Sequence, residues 1–309
     1  MRVEIEMNIS EERDRSHQDE TNPLEGTQLA FIGSGVMAEA IIAGLLRQKL
    51  VAPEQIRGSH PRAARREELQ TKYGIRVFES NREAATFEQP DETTEGELPS
   101  RSIVVLAVKP QRLGLVLGEL KGALKPDQVA ISVVAGAHLE TIAAELLHPG
   151  VVRAMPNTPA QIGQGMTAWV ATMEVSDAQR LQVRAMLRAL GREIYVESER
   201  MIDMATALSA TGPTYIFLVM EALVDAGVHM GFSRHVAQEL VLQMMLGSVL
   251  FAQESGKHPA ELRNMVTSPG GTSAEAIYQM EKGSLRTVLS KAVYAAFNRA
   301  VALGGKKQG

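Results

Sequence analysis

One short segment constrains the fold of this chain more than any other part of the sequence. The apolar run Leu29–Ile32 leads directly into the turn Gly33-Ser34-Gly35-Val36-Met37-Ala38. In such a G-x-G-x-x-A turn, the first glycine permits a tight bend, the second lets a ligand approach the backbone, and the alanine allows close helix–strand packing. The N–H groups at the start of the following helix attract an anion. The segment therefore predicts a strand–turn–helix unit that holds the pyrophosphate of a dinucleotide.

Short apolar runs alternate with amphipathic segments from Gln28 to about Val196, which is typical of βαβ units around a parallel sheet. Several runs are apolar at consecutive positions, which indicates strands that are buried on both faces. The predicted strands are Leu29–Gly33, Gln55–Ser59, Arg76–Phe78, Ser102–Val108, Val129–Val134, Val151–Met155, Met166–Ala171 and Glu193–Val196. The predicted helices among them include Ala38–Gln48, Arg62–Tyr73 and Ser176–Leu190.

Beyond Glu197 the sequence shows only helical patterns. The predicted helices are Glu199–Leu208, Pro213–Met230, Ser233–Glu254, Pro259–Val266, Thr272–Glu281 and Ser284–Leu303. Pro213 suits a first helical turn, and Ser233 and Ser284 suit N-caps. The predicted fold class is therefore an α/β Rossmann-type nucleotide-binding domain over residues 28–197, followed by an all-α domain over residues 198–309. Residues 1–27 are predicted to be a disordered charged tail, and the acidic, proline-bearing residues 88–100 a solvated insertion.

Composition limits the partners of this chain. The net charge of −4 and a pI near 6.0 give no basic surplus, so no nucleic acid is expected and a small-molecule substrate is the default. The chain has no cysteine, which excludes thiolate metal sites and cysteine nucleophiles and suits a reducing, cytoplasmic compartment. The uninterrupted apolar runs are short, so we expect no membrane span, and no metal site is predicted.

The end of the second predicted strand bears on the choice of dinucleotide. An NAD enzyme usually places a carboxylate there to bind the ribose 2′-hydroxyl, but this segment contains none. Ser59 and Arg62 are suited to a 2′-phosphate, with Arg65 or Arg66 as further candidates unless they form the solvated face of the next helix. The sequence therefore favours NADP(H), with NAD(H) as the alternative.

Other candidate residues follow later strands, where the carboxyl ends of a parallel sheet bind ligands. Lys109 and Pro110 follow one strand, and the small residues Ala135 and Gly136 follow the next. A second glycine-rich turn, Ser268-Pro-Gly-Gly-Thr-Ser273, feeds a helix in the C-terminal region. Its free N–H groups and hydroxyls suit a small carboxylate, although a plain helix N-cap without a ligand has the same pattern.

Taken together, these segments resemble the pyrroline-5-carboxylate reductase family over about residues 28–303. The matching motifs occur in family order and spacing, and the last of them is the most specific. They are Phe31-Ile-Gly-Ser-Gly-Val-Met-Ala38, Ala107-Val-Lys-Pro-Gln111, Arg153-Ala-Met-Pro-Asn-Thr-Pro159, Ala207-Leu-Ser-Ala-Thr-Gly-Pro-Thr-Tyr215, Glu221-Ala-Leu-Val-Asp-Ala-Gly-Val228 and Val266-Thr-Ser-Pro-Gly-Gly-Thr-Ser273.

The resemblance implies reduction of L-1-pyrroline-5-carboxylate to L-proline with NADPH or NADH, the last step of proline biosynthesis. It implies an all-helical domain that forms a homodimer, with a decamer of five dimers as a further assembly. The residues it implies for the cofactor are Ile32, Gly33, Ser34, Gly35, Val36, Met37, Ser59, Asn81, Ala107, Val108, Lys109, Pro110, Ala135 and Gly136. The residues it implies for the substrate carboxylate are Ser268, Gly271, Thr272 and Ser273.

Three positions depart from the family pattern, since Ala210, Thr211 and Ser273 replace its usual glycine, serine and threonine. A hydroxyl survives at Ser273, so we expect substrate hydrogen bonding to persist. No general acid is evident near this turn. Either the Ser273 hydroxyl relays a proton from water, which would make Ser273 catalytic, or the imine binds already protonated.

Two other functions compete with this prediction. A hydroxyacid or related imine reductase is one, but hydroxyacid enzymes of this architecture carry a lysine on a helix after the nucleotide domain, and Pro213–Glu254 contains none. The other is a non-catalytic NADP(H)-binding sensor or scaffold, which would not need the second glycine turn. The segment Leu240–Phe251 is apolar on nearly every side of a helix, which favours packing against another chain.

Overall fold

The computed structural model describes residues 22–87 and 102–305 of the chain. They form two compact units, of which the first ends at Ile202 and the second begins at Asp203, a few residues after the predicted boundary. The acidic insertion 88–100 and the tail as far as residue 21 lie outside the described residues.

The N-terminal unit contains one sheet of eight strands in the order β3-β2-β1-β4-β5-β6-β7-β8. All eight strands predicted from the sequence are present, with ends that differ by no more than two residues. They are β1 Gln28–Ile32, β2 Ile56–Ser59, β3 Arg76–Phe78, β4 Ser102–Leu106, β5 Val129–Ser132, β6 Val151–Met155, β7 Gly165–Ala171 and β8 Gly191–Tyr195. Between β1 and β4 the strand order reverses direction, which creates the crevice where doubly wound folds bind dinucleotides.

Strands β1 to β6 are parallel, but β7 runs antiparallel to β6. The expectation of a wholly parallel sheet is therefore wrong at this edge. A single 3-10 turn, Thr158–Ile162, connects β6 to β7. Such a short link reverses the chain, whereas a parallel neighbour requires a crossover of a dozen or more residues. Strand β8 pairs in parallel with β7 because a helix connects them.

Six helices belong to the sheet connections: α1 Val36–Arg47, α2 Ala63–Tyr73, α3 Asn81–Ala85, α4 Leu113–Leu120, α5 Leu139–Leu146 and α6 Asp177–Arg188. Alternate side chains of β1 enter two separate hydrophobic clusters on the two faces of the sheet. Phe31 packs in one cluster with Ile41 and Trp169, and Ile32 packs in the other with Leu106. Burial on both faces explains why apolar residues occupy consecutive positions in these strands.

Residues 22–27 correct the prediction of a disordered tail as far as residue 27. The Asn22 side-chain amide donates to the Leu50 carbonyl oxygen at 2.7 Å, and Leu24 is fully buried. The Thr27 hydroxyl accepts a hydrogen bond from Gln182 at 3.0 Å. One apolar side chain in a charged stretch gave no periodic signal, yet it completes the core beside β1.

Helix α7 Glu199–Ala205 crosses the boundary between the units and continues into a π-helical turn, Thr206–Ala210. The remaining helices are α8 Gly212–His229, α9 Arg234–Ser255, α10 Pro259–Met265, α11 Thr272–Lys282 and α12 Leu285–Gly304. The Ser233 side chain caps α9, as predicted, by accepting from the Val236 N–H. Ser284 occupies the N-cap position of α12, as predicted, but its φ of 59° is left-handed and its side chain makes no capping hydrogen bond.

The C-terminal unit leaves many large apolar side chains exposed in the single chain. Phe217, Leu218, Leu246 and Val249 of α8 and α9 are all about half exposed or more. By length and composition alone, residues Glu199–His229 and Arg234–Ser255 could also cross a membrane. Large exposed apolar surfaces mark interaction sites, and the residues that the structure describes leave this one uncovered.

Candidate cofactor and substrate sites

The glycine turn after β1 has the geometry that the sequence predicts. Gly33 has a φ of +84°, and a Cβ there would collide with Val108 Cγ1 and lie 3.1 Å from the Ala107 carbonyl oxygen. Gly35 differs, because its backbone is extended and a Cβ would meet nothing within 4 Å. Gly33 thus serves the turn itself, while the absent side chain of Gly35 leaves open space beside the start of α1.

A chain of hydrogen bonds supports this turn from the second strand. The Gly33 N–H donates to Ser59 Oγ at 3.2 Å, and Ser59 donates to Asn81 Oδ1 at 2.7 Å. The Asn81 amide in turn donates to the Glu119 carboxylate. Because Ser59 is fully buried and both its bonds are internal, it can donate to a bound phosphate only by releasing Asn81.

A cavity of about 950 Å³ opens beside the turn, a volume that suits a small-molecule ligand. Eight residues of the predicted cofactor set line it: Gly33, Gly35, Ser59, Arg62, Asn81, Ala107, Val108 and Lys109. These residues follow the carboxyl ends of β1, β2, β3 and β4, on the side of the sheet where the strand order reverses.

Seven other predicted cofactor residues lie outside this lining: Ile32, Ser34, Val36, Met37, Pro110, Ala135 and Gly136. Ile32 is fully buried in the core, so only its backbone can serve a ligand. Among the described residues, the N–H groups of Val36 and Met37 have no hydrogen-bond partner, which leaves them free for an anion at the start of α1. Their roles stay predictions.

The cavity is lined by four cationic side chains and two carboxylates. Arg62 is exposed and forms no hydrogen bond or ion pair through its side chain with any described residue. Arg66 instead pairs with Glu79 at 3.0 Å, and Arg65 pairs with Glu39 and Glu68. The structure therefore separates Arg62, the arginine that the sequence favoured, from the two further candidates, and leaves Arg62 available to an anion.

Partial burial and the charges of Arg62, Arg65 and Arg66 lower the pKa of His60, although a hydrogen bond from the Arg62 N–H acts in the opposite direction. The pKa of Glu39 is also lowered, in this case because its neighbours favour the charged carboxylate. Partial burial would raise its pKa, but hydrogen bonds from Lys72, Arg65 and Tyr73 outweigh burial and lower the pKa to about 2. The positive charge of the cavity lining therefore comes from Arg62, Arg82, Lys109 and Arg112 and not from His60.

Sequence reasoning missed part of the lining, including His60, Glu79, Ser80, Arg82, Arg112 and Glu119. Ser80 carried a usable signal, since it caps α3 by accepting from the Glu83 N–H and so precedes a helix at the carboxyl end of β3. Glu119 gave no sequence signal, because its contact with Asn81 joins residues that are 38 positions apart in the chain.

The loop after β5, which contains Ala135 and Gly136, is held at its end by a hydrogen bond to Glu199. Glu199 Oε1 accepts the Leu139 N–H at 2.9 Å and pairs with Arg153 Nη1 at 3.2 Å. Arg153 lies on β6 and is almost fully buried, so its charge is satisfied inside the protein. The sequence placed Arg153 in a motif, and the structure shows that it supports the loop after β5.

The second glycine turn belongs to the C-terminal unit and begins α11 at Thr272. The Gly271 N–H is used, since it donates to the Ser268 carbonyl oxygen at 3.0 Å, whereas the N–H groups of Thr272 and Ser273 have no partner among the described residues. The hydroxyls of Ser268, Thr272 and Ser273 make no hydrogen bond there either. All four predicted residues thus share one turn that presents unused donors.

These features fit a nicotinamide dinucleotide on the N-terminal unit. The Ser34 hydroxyl is buried with no hydrogen-bond partner among residues 22–87 and 102–305, and Gly35 leaves open space beside it. Within the same residues, no group of three or more His, Asp or Glu side chains could hold a metal ion. The turn, the free N–H groups of α1 and Arg62 are the donors that a dinucleotide phosphate requires.

Family models match both parts of the chain. The model described as "Pyrroline-5-carboxylate reductase dimerisation" matches residues 199–303. The model described as "NADP oxidoreductase coenzyme F420-dependent" matches residues 28–136, which include the glycine turn and β4. The first match covers most of the C-terminal unit, and the second covers the first part of the N-terminal unit.

Known proteins resemble the whole of the described chain. A pyrroline-5-carboxylate reductase of Synechocystis sp. is 41% identical over 90% of this chain and 99% of its own length. One from Pseudomonas aeruginosa is 40% identical over 89% of this chain and 96% of its own length. Among solved structures, a pyrroline-5-carboxylate reductase from Coxiella burnetii has a TM-score of 0.79 at 35% identity, covering 90% of this chain and 99% of its own. The Plasmodium falciparum enzyme, solved with NADP bound, has a TM-score of 0.78 at 29% identity, with 90% and 98% coverage.

Proposed function

The chain belongs to the pyrroline-5-carboxylate reductase family, and on that premise we propose how its residues perform the reaction. The activity is the NAD(P)H-dependent reduction of L-1-pyrroline-5-carboxylate to L-proline, in which the C=N bond of a cyclic imine gains a hydride on carbon and a proton on nitrogen. The observation that carries the assignment is the unbroken likeness to these reductases across both units, together with an intact dinucleotide turn.

The cofactor turn holds the pyrophosphate on the backbone of residues 32–37. Gly35 permits close approach, and the N–H groups of Val36 and Met37 donate to the phosphate oxygens. Lys109 and Ala107 line the cavity further along the dinucleotide. In this proposal Ala135 and Gly136, which lie outside that lining, approach the nicotinamide, as the family resemblance implies. The bound dihydronicotinamide supplies the hydride, and the protein supplies orientation.

NADPH is the preferred cofactor in this proposal. Arg62 lines the cavity with a guanidinium that has no partner among the described residues, at the position where an NAD enzyme would have a carboxylate. A guanidinium binds phosphate through charge-assisted, bidentate hydrogen bonds. NADH lacks the 2′-phosphate and would lose this interaction only.

The turn Ser268–Ser273 holds the substrate carboxylate. The N–H groups of Thr272 and Ser273 point out of the start of α11, and the hydroxyls of Ser268 and Ser273 add further donors. Fixing the carboxylate orients the ring so that its imine carbon can receive the hydride. The Ser273 hydroxyl either relays the proton to the ring nitrogen from water or, when the iminium binds preformed, only orients the ring.

The functional unit is a homodimer. The C-terminal helices match a family model described by dimerisation, and they expose Phe217, Leu218, Leu246 and Val249 in the single chain. A second copy would cover these side chains and remove a patch that monomeric proteins avoid. Assembly of five dimers into a decamer is a further expectation, which sedimentation of the purified protein tests directly.

The decisive experiment is a cofactor oxidation assay. Purified protein is mixed with NADPH or NADH, and the loss of reduced nicotinamide absorbance is followed after adding either pyrroline-5-carboxylate or its six-membered analogue. We expect turnover to be fastest with the five-membered ring and NADPH. An absence of turnover while NADPH still binds would instead support a cofactor-binding sensor.

A further inference from the structure

Arg65 is a further candidate for a 2′-phosphate ligand by sequence, but the structure shows that its guanidinium is bound to other protein groups. Its Nε donates to the Ser34 carbonyl oxygen at 3.3 Å, inside the dinucleotide turn. Its Nη2 pairs with the Glu39 carboxylate, and its Nη1 pairs with Glu68 Oε1 at 2.8 Å. The side chain is only 13% exposed, so these bonds are screened little by water.

The Ser34 carbonyl matters because the helix leaves it unused. Helix α1 begins at Val36, and its first backbone bond to the turn runs from the Glu39 N–H to the Gly35 carbonyl oxygen at 2.9 Å. Arg65 is the donor that holds Ser34 in place from outside the helix. It therefore fixes the turn at the residue between the two glycines.

Glu39 explains why this position needs a cation. Its carboxylate lies in the first turn of α1, the helix whose N-terminus faces the pyrophosphate, and a bare negative charge there would repel the phosphates. Arg65 shares the neutralisation of Glu39 with Lys72, whose Nζ lies 2.8 Å away, and with the Tyr73 hydroxyl at 2.9 Å. Without Arg65, less of the Glu39 charge would be neutralised, and the carboxylate would repel the phosphates of the ligand more strongly.

We infer that Arg65 is a positioning residue, which braces the dinucleotide turn through Ser34 and masks the charge of Glu39, and that recognition of the 2′-phosphate lies with Arg62 rather than with Arg65. This inference rests on the proposed function, because it concerns the cofactor site of that reductase. It predicts different effects on cofactor binding for two arginines that lie three positions apart in the sequence: loss of Arg65 affects both cofactors, and loss of Arg62 affects NADPH.

The test compares dissociation constants for NADPH and NADH, measured by fluorescence titration without substrate. Arg65→Gln should weaken both cofactors by a similar factor of about five or more, the loss expected for one buried hydrogen bond and a partly unmasked carboxylate. Arg62→Gln should weaken NADPH by about tenfold or more, as for one lost charge-assisted contact, and leave NADH within about twofold. Arg76→Gln, an exposed arginine of the same unit, is the matched control and should leave both affinities unchanged.

A double variant separates this role from simple structural damage. In Glu39→Gln/Arg65→Gln the unmasked charge is absent, so NADPH affinity should recover relative to Arg65→Gln, whereas additive damage would weaken binding further. A loss selective for NADPH in Arg65→Gln, or a double variant that binds NADPH no better than Arg65→Gln, would overturn the inference. Because the binding measurements contain no imine, turnover of pyrroline-5-carboxylate by the unaltered chain tests the proposed function separately.

Discussion

Alanine substitutions at Gly33 and Gly35 should have opposite consequences, although the two residues are separated by one position in the same turn. Gly33→Ala places a methyl group against Val108 and forces alanine into a left-handed backbone with a φ of +84°. Gly35→Ala does neither, since its φ of −82° is accessible to any residue and no protein atom lies within 4 Å of the new Cβ. Only the space for the ligand is lost.

The structure sets the magnitudes. For Gly33→Ala, the left-handed backbone costs about 1–2 kcal/mol and the collision a further 1–3 kcal/mol, so the free energy of unfolding should fall by about 2–5 kcal/mol. For Gly35→Ala it should stay equal or rise by up to about 1 kcal/mol, because alanine restricts the unfolded chain. NADPH affinity should nevertheless fall by about tenfold or more in Gly35→Ala, since the methyl group occupies the path of the pyrophosphate.

Urea unfolding followed by tryptophan fluorescence suits this comparison. The chain has one tryptophan, Trp169, which is buried in the core of the N-terminal unit and therefore reports on the unit that contains the turn. Gly26→Ala is the matched control, because Gly26 has a φ of +69° but open space around its Cβ position, so it isolates the backbone cost. NADPH affinity is titrated on the same variants.

The reasoning is wrong if Gly35→Ala lowers the urea midpoint as far as Gly33→Ala does, or if it binds NADPH with unchanged affinity. A Gly26→Ala variant as unstable as Gly33→Ala would show that the collision with Val108 contributes nothing.

Three further predictions concern other parts of the chain. Ser273→Ala should raise the KM for pyrroline-5-carboxylate about tenfold, as for one lost bond to a charged group, with the KM for NADPH unchanged, and Ser284→Ala, a serine that caps nothing, should match the unaltered enzyme. The folded pKa of Glu39, about 2, lies below its ordinary value of 4.5, so its ion pairs stabilise the fold above pH 4.5 and are lost as pH falls toward 2. Glu39→Gln should therefore unfold about 1–2 kcal/mol more easily at pH 7, allowing for partial exposure, and lose that difference in acid unfolding curves. Leu246→Glu should halve the mass measured by light scattering, because it places a charge on an apolar face, and an unchanged mass would remove α9 from the interface.

The arginines after β2 show where sequence reasoning stopped. The sequence favours Arg62 as a phosphate ligand but leaves Arg65 and Arg66 open, because it does not show which carboxylates lie nearby. Glu39 and Glu79, which engage two of them, are 26 and 13 positions away. Glu39 lies on α1 and Glu79 follows β3, so only the three-dimensional arrangement of these segments leaves Arg62 without a side-chain partner among the described residues.

The reversed strand β7 and the buried Leu24 were missed for a related reason. Strand patterns indicate burial and length, but the direction of a strand depends on the connection that precedes it, here the 3-10 turn Thr158–Ile162. Leu24 is one apolar side chain among polar neighbours, and a single residue carries no periodicity. For β7 the missing information was the direction in which a short connection returns the chain, and for Leu24 it was a contact with distant segments.

The glycine turn, the strand positions, the helical C-terminal region and the family could all be determined from the sequence alone, because each depends on local chemistry. Each of these features is visible within a few adjacent residues of the sequence. Examples are a glycine with a left-handed backbone, an apolar run buried on both faces, and a glycine-rich start of a helix. The tertiary structure alone decided which side chains surround the cofactor cavity, that Ser59 is bonded to Asn81 and Asn81 to Glu119, and that Arg65 braces Ser34. These are contacts between residues distant in the chain, and their partners are chosen by packing and charge in three dimensions.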